Sequence, residues 1–458
     1  MDTVRADHLS VYGYERDTSP NLRELAKQAT VYTQAIAPGD MTLTSHASLF
    51  TGMYAAQHGT YPSIPDYSGG RPLTQSTPTM AEILLDKGYS TMAVVANTAF
   101  LTNYFGFDRG FQYYDQNSRP RFFELRTSRY LLKDVLREGI LKIPLSVPWE
   151  WESKHRRAGE INREVFKLLD SQKVRGGRPF FLFVNYMDAH RPYVPPPPYD
   201  SLYPGKEMAS FNQRSFDALK DQVISGRQTP TDGERQHLIS QYDGGIAYID
   251  AKIGELIAHL KQIGVYDYSV LIITSDHGEA FGEEDLFEHG CGVYQHQVHI
   301  PLLLVDPHNR EGRVMSEPVS LVNLLPTVLD FTDAKNKGPR GMEERSLRKN
   351  PTEAGGYVIT ESYPIGWYED YPRMRRIERA IISGSFKFVT STLGKKELYD
   401  LSKDPDEKEN LYSATDEISQ RLESTMNQWI KTAPPKSSLS RKVDKNALEN
   451  LKSLGYMK

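Results

Sequence analysis

Apolar runs of about five residues alternate with helical stripes through the first three-quarters of the chain. That alternation predicts βαβ units, and so an α/β fold with a mostly parallel central sheet and helices on both faces. Residues 90–95, 180–186 and 269–274 read as strands. Ser19 reads as the N-cap of a helix opening with Pro20, in which Leu22, Leu25, Ala26 and Ala29 share a face. A second helix is expected over 79–87, stopped by Gly88. The clearest helix is predicted over 236–262, where Ile246, Ile249, Ile253, Leu256, Ile257 and Leu260 recur at spacings of three and four before Gly264. The strand at 269–274 follows at once, so Ser275-Asp276-His277-Gly278 falls at a strand's carboxyl end. In open α/β sheets that edge binds ligands.

Two less regular stretches, 117–157 and 195–233, are expected to be insertions covering the sheet edge. From about Gly356 the pattern changes to short strands between turns, at 380–382 and 387–390, which predicts a small antiparallel sheet. A Pro, Ser and Lys-rich link at 434–445 then leads to an expected last helix at 447–454. The chain therefore divides into a catalytic domain, 1–345, and a C-terminal α+β subdomain with its terminal helix, 346–458.

Composition removes several classes of function. The 458 residues carry 55 Lys+Arg against 59 Asp+Glu, a formal charge of −4, so there is no electrostatic case for nucleic acid. The single cysteine, Cys291, excludes an internal disulfide. No apolar run approaches the roughly 20 residues of a membrane span, and the amino terminus has no signal-peptide pattern.

The chemistry lies in separated segments that each follow an apolar run or open a helix. These are Asp2, Thr42 to Gly52, Met187-Asp188-Ala189-His190-Arg191-Pro192-Tyr193, and Thr274 to Glu279 with Glu288-His289-Gly290 beyond. Taken singly, Asp276-His277 is also what a capped turn would look like, and Thr42 is what a helix cap would look like.

At these residues the chain resembles the sulfatase family of the alkaline phosphatase superfamily, almost end to end. Asp2 to Ser10 resembles its first metal-binding loop, Ser45-His46-Ala47-Ser48-Leu49-Phe50-Thr51-Gly52 its nucleophile helix, and Phe183 to Tyr193 the strand and loop carrying an active-site histidine. Ser275-Asp276-His277-Gly278-Glu279 resembles the second metal loop. Glu397-Leu398-Tyr399-Asp400-Leu401, with Asp404-Pro405 and Asn410-Leu411, resembles the C-terminal domain.

The resemblance implies hydrolysis of an anionic ester on a small molecule or glycan. It also implies one divalent ion (Ca, Mg, Mn or Zn) held by Asp2, Asp276 and His277 together with the oxygen of Thr42, which the ion would activate as nucleophile. A helix beginning near Thr44 would aim its first N–H groups at the anion. His190 and His289 would protonate the leaving group and hold the nonbridging oxygens, and Asn97 would contact substrate. His8, His46, His58, His296 and His299 are expected to be structural.

The departures matter as much. Typical sulfatases carry Cys or Ser at the nucleophile position, converted to formylglycine, then a Pro and an Arg; here Thr42, Thr44 and His46 stand there. Oxidising a threonine gives a ketone, not an aldehyde, and Cys291 lies too far along the chain to substitute. The Lys and His that grip sulfate are matched by Ala96 and Thr98. Threonine is the nucleophile in superfamily branches that resemble phosphodiesterases, phosphonate hydrolases and phosphoethanolamine or phosphoglycerol transferases. Phosphorus esters, transfer to a glycan or lipid, and a silent binding protein of the same fold are therefore alternatives. The resemblance also places a hydrophobic strand ahead of the first metal Asp, where this sequence has only Met1. The expectation is of an upstream strand outside the sequence, which leaves the location open between cytoplasmic and periplasmic or secreted.

Overall fold

The computed structural model describes residues 1–62, 70–117, 155–171, 177–206, 213–334, 345–349 and 356–432. Most of the 117–157 insertion, the 434–445 link and the helix expected at 447–454 lie outside the described residues. The α-helices among those described are α1 (Pro20–Ala26), α2 (Thr42–Thr51), α3 (Ala55–His58), α4 (Met80–Asp86), α5 (Ala158–Asp170), α6 (Gln213–Ile224), α7 (Asp232–Gln262), α8 (Gln295–Val298), α9 (Leu324–Phe331) and α10 (Glu417–Thr432).

Two sheets make the framework. One has the order β11 (Arg313–Met315), β1 (Thr30–Tyr32), β10 (Leu302–Val305), β6 (Leu271–Thr274). The other has β4 (Tyr113–Asp115), β3 (Ser90–Val95), β5 (Phe180–Asn185), all parallel. Pairing of β1 with β11 is parallel, whereas β10 runs antiparallel to both neighbours. Short ladders complete this part of the fold: β12 (Val319–Ser320), β2 (Ala35–Ile36) and β9 (His299–Ile300), and the hairpin β7 (Ala280–Phe281) with β8 (Phe287–Glu288).

The long helix α7 carries the predicted stripe inward, with Ile246, Ile249, Ile253, Leu256, Ile257 and Leu260 all buried. It starts four residues before the expected position because the Thr231 hydroxyl accepts from Glu234 N and the Glu234 carboxylate reaches back to Thr231 N. That polar first turn carries no apolar periodicity to read. Within the 195–233 stretch expected to be irregular, α6 buries Phe216, Leu219 and Val223 at helical spacing.

The expected cap of α1 is corrected. The Ser19 side chain makes no capping bond and pairs instead with Ser10. Asp250 of α7 supplies the acceptors, its carboxylate taking Asn21 N and Leu22 N at 2.9 Å each and the Asn21 amide at 2.8 Å. A carboxylate from a neighbouring helix thus meets the orphan N–H groups that a local hydroxyl was expected to satisfy.

The C-terminal sheet, β13 (Val358–Ser362), β14 (Glu378–Ser383), β15 (Phe386–Ser391) and β16 (Lys396–Asp400), is antiparallel throughout. Its side chains alternate between two cores, as the period-2 pleat requires. Ile359, Ile381, Phe388 and Leu398 face Leu422, Met426 and Trp429 of α10, whereas Val358, Ala380, Ile382, Val389 and Tyr399 join the main core. No helix among the described residues is long and apolar enough to cross a membrane.

Asp250→Ala leaves two helix-start amides unpaired, the Leu22 one buried and the Asn21 one partly so, and is expected to destabilise the protein by about 1–3 kcal/mol, with Ser19→Ala costing less. Urea unfolding midpoints of the two variants check the order.

Candidate functional site

The site forms where the carboxyl ends of β5 and β6 face each other, and residues 1 and 2 bridge them. The terminal ammonium donates to Thr274 O at 2.7 Å and Met1 O accepts from Asp276 N at 3.2 Å, while Asp2 N donates to Tyr186 O at 2.9 Å. The chain then turns sharply at Thr3, with φ of 61°. Thr3 N donates to Asp276 Oδ1 at 3.2 Å, and Tyr242 of α7 holds the turn through its hydroxyl on Thr3 O at 2.7 Å. Asp2 therefore comes to rest beside Asp276.

Ligand atoms of Asp2, Asp276 and His277 lie within 4.8 Å of one another, all in buried side chains. Burial pushes both carboxyls up to about 6, each against nearby opposing charges, and pushes His277 down to about 4. Asp2 Oδ1 and Asp276 Oδ2 are buried with no hydrogen-bond partner among the described residues. Two carboxylate oxygens and an imidazole, with acceptor lone pairs left over, fit a divalent cation.

Thr42 is the first residue of α2, two residues before the predicted start, and Met41 occupies the cap position. The Thr42 hydroxyl lies 3.3 Å from His277 Nε2 and 3.3 Å from Asn97 Nδ2. Asn97, expected to touch substrate, spends its amide on the site itself: Nδ2 also donates to Asp2 Oδ2 at 2.9 Å, and Oδ1 accepts from Ala99 N and Phe100 N. These contacts fix the orientation of the amide.

His190 and His289 complete the arrangement. Their ring centroids are 5.1 Å apart, and His289 is 4.5 Å from His277. The loop bearing His190 lies tightly on α7, where a Cβ on Gly245 would come within 2.3 Å of Asp188 O. Burial lowers the pKa of His190, and that of His289 to about 4. His190 Nδ1 is 2.6 Å from Arg191 O; a carbonyl can only accept, so Nδ1 carries the proton and Nε2 of the neutral ring is an acceptor.

Two residues of the site escaped sequence reading. Glu279 was part of a quoted motif without a role, yet its Oε1 lies 2.9 Å from His289 Nδ1. The hairpin explains it, because Ala280 pairs with Glu288 and the next pair outward is 279 with 289. A carboxylate and a histidine flanking two short extended segments was the available signal. Burial pushes Glu279 up to about 7. His46, expected to be structural, lies with Nδ1 2.9 Å from Thr42 O and 3.5 Å from Asp276 Oδ2. The other histidines sit elsewhere: His8 on Asp243, His58 on Ser48 and His299 on Thr33 O.

A family model described as Sulfatase matches residues 1–334, and one described as N-sulphoglucosamine sulphohydrolase, C-terminal, matches residues 282–432. An arylsulfatase of Clostridium perfringens is 23% identical over 456 residues, covering 92% of this chain and 91% of that protein. The phosphonate monoester hydrolase of Silicibacter pomeroyi has a similar fold, with a TM-score of 0.66 at 22% identity over 94% of this chain and 93% of the other. So does a protein solved with its substrate D-glucosamine-2-N,6-O-disulfate, with a TM-score of 0.69 at 16% identity over 96% and 98% of the two chains.

In chelator, Asp276→Asn is expected to stabilise the protein relative to the unsubstituted chain. A carboxyl raised to about 6 holds its proton more tightly folded than unfolded, so its contribution falls as pH rises from about 4 to about 6. The advantage of the variant should therefore grow across that window to about 3 kcal/mol at most and then level off. Buried histidines act with the opposite sign and cancel in the difference. Calorimetric melting at pH 4, 5, 6 and 7 measures it.

Proposed function

The chain belongs to the sulfatase family, and from that membership we propose that it hydrolyses sulfate or phosphorus esters through a covalent ester on Thr42. The observation that carries this reading is the meeting of the Thr42 hydroxyl, at 3.3 Å from both His277 Nε2 and Asn97 Nδ2, with the Asp2, Asp276 and His277 group.

Asp2, Asp276 and His277 would hold one divalent cation, with Thr42 Oγ beside it. When bound, such an ion offsets the charge of the transferring group and favours the alkoxide of Thr42. Asn97 donates a hydrogen bond to the same oxygen and holds it on line. The first amides of α2, which have no partner within the helix, face developing negative charge.

In the first step Thr42 Oγ bonds to sulfur or phosphorus as the bond to the leaving oxygen breaks. The Thr42 proton is lost to solvent as the alkoxide forms, and a protonated His289 delivers its other ring proton to the leaving alcohol. Glu279, against His289 Nδ1, supports the charged ring. Nε2 of the neutral His190 ring, whose proton sits on Nδ1 against Arg191 O, is an acceptor for the attacking water. Water then gives a proton to His289 and bonds to sulfur or phosphorus as the bond to Thr42 Oγ breaks, Thr42 regains a proton from solvent, and sulfate, a phosphate monoester or a phosphonate is released.

Charge narrows the substrate. Two carboxylates and one divalent cation sum to zero, a protonated His289 and its partner Glu279 sum to zero, burial disfavours charge on His190 and His277, and Ala96 and Thr98 beside Asn97 add no cation. A monoanionic ester, whether a sulfate monoester, a phosphodiester or a phosphonate monoester, suits that balance better than a dianionic phosphate monoester. Small molecules or glycans bearing such groups are the expected substrates.

The test is turnover of aryl sulfate, phosphodiester, phosphonate monoester and phosphate monoester substrates, with Mn, Mg, Ca or Zn or with chelator. Metal-dependent hydrolysis of at least one monoanionic class is expected, falling by about a thousandfold or more in Thr42→Ala. Asn97→Ala should lower kcat by about 10–100-fold with little change in KM. No turnover of any class, or equal turnover by Thr42→Ala, overturns the reading.

A further inference from the structure

His289 sits in a stretch, 287–298, whose only strand and α-helix are the two-residue β8 and the short α8. That stretch takes much of its support from the C-terminal sheet and the segments joining its strands. The Tyr368 hydroxyl donates to Phe287 O at 2.9 Å, and Arg376 Nη2 donates to Cys291 O at 3.3 Å. Gly292 N donates at 3.0 Å to Asp40 Oδ2, which also accepts from the Ser362 hydroxyl at 2.6 Å. The Tyr294 hydroxyl donates to Glu397 at 3.0 Å, and Gln295 N donates to Glu407 Oε2 at 2.6 Å.

The deepest of these anchors is Glu407. Its other oxygen pairs with Lys387 Nζ of β15 at 2.6 Å, and the two side chains are 1% and 0% exposed. Gln295 opens α8, and the same turn grips the catalytic loops on its far side. Gln297 Nε2 donates to Glu288 O at 2.8 Å, one residue before His289. Gln297 O accepts from Gly278 N at 2.7 Å, one residue after His277. A Cβ on Gly278 would lie 2.2 Å from His296 O, so the metal loop and the turn are in direct backbone contact.

We propose that the C-terminal sheet sets the position of His289 through this turn, with Lys387, Glu407 and Gln297 as positioning residues. A buried ion pair is weak evidence for stability, since apolar replacements of both partners are often neutral. Its two oxygens divided between a strand lysine and a loop amide do, however, define where that loop sits. The inference rests on the assignment of His289 as the group that protonates the leaving oxygen, and it ties the sheet to the step that needs protonation.

The test is Gln295→Pro in the full chain, which deletes the N–H given to Glu407, compared with Gln295→Ala, which loses the same half-buried side chain but keeps that N–H. Proline is tolerated at the first helical position, and Tyr294 before it already has φ −71° and ψ 161°, which proline accepts. Expected is a fall of about tenfold or more in kcat for alkyl esters, which need leaving-group protonation, and less than about threefold for activated aryl esters. KM and melting temperature should change little, and amide hydrogen exchange over 287–292 should accelerate. If Gln295→Pro does not fold, the double variant Lys387→Met/Glu407→Leu carries the same readouts. Equal losses on both ester types with unchanged exchange overturn the proposal. If the unsubstituted protein turns over no ester, the functional reading fails, and the exchange comparison alone decides whether the turn is clamped.

Discussion

Asp2 and Asp276 place two carboxyl groups side by side in a buried pocket, a costly arrangement unless positive charge or protons relieve it. Most of the surrounding construction reads as a consequence. The chain approaches from three directions because three loops must deliver Asp2, Thr42 and Asp276-His277 to one point. Asn97 and two backbone amides, Thr3 N and His277 N, donate to the carboxylates. These donors leave one oxygen on each carboxylate without a hydrogen-bond partner among the described residues. Full satisfaction by protein donors would have closed the pocket to a cation; the orphan oxygens keep it open.

Around that pocket, rigidity comes from elements with no chemistry of their own. The helix α7 holds the Thr3 turn with Tyr242, accepts the His190 loop against Gly245, and caps α1 with Asp250. The β7–β8 hairpin sets Glu279 against His289 through its register alone. The pleat of the C-terminal sheet sends one set of side chains to α10 and the other to the main core, so the sheet cannot shift without disturbing both.

Much of the site was legible before any coordinates. Asp276 and His277 follow an apolar run that places them at a strand's end and Thr42 stands at a helix start, whereas Asp2, with only Met1 before it, was marked by the resemblance alone. The stripe of α7 and the strand at 90–95 were equally plain, because buried periodicity is written locally. Other features were not. Ser19 carries the local chemistry of a cap, but Asp250, more than two hundred residues away in sequence, performs it. His46 looked like a structural histidine because nothing in its helix reveals that Asp276 lies opposite. Glu279 and Gln297 act through pairings of a hairpin and a turn too short to show periodicity.

By itself the sequence determined the fold class, the family to which the chain belongs, and the residue types available for catalysis, since these follow from local pattern and from motifs in order. It also excluded a cysteine-derived aldehyde in the Thr42 to Gly52 segment, because Cys291 is the only cysteine. Only the tertiary structure decided that Asn97 bonds Asp2 and Thr42, that Glu279 partners His289, and that a sheet at the far end of the chain steadies the loop bearing that histidine. The physical reason is range. Hydrophobic periodicity acts between residues three or four apart, whereas hydrogen bonds and buried charges are settled by whichever groups the folded core brings within about 3 Å.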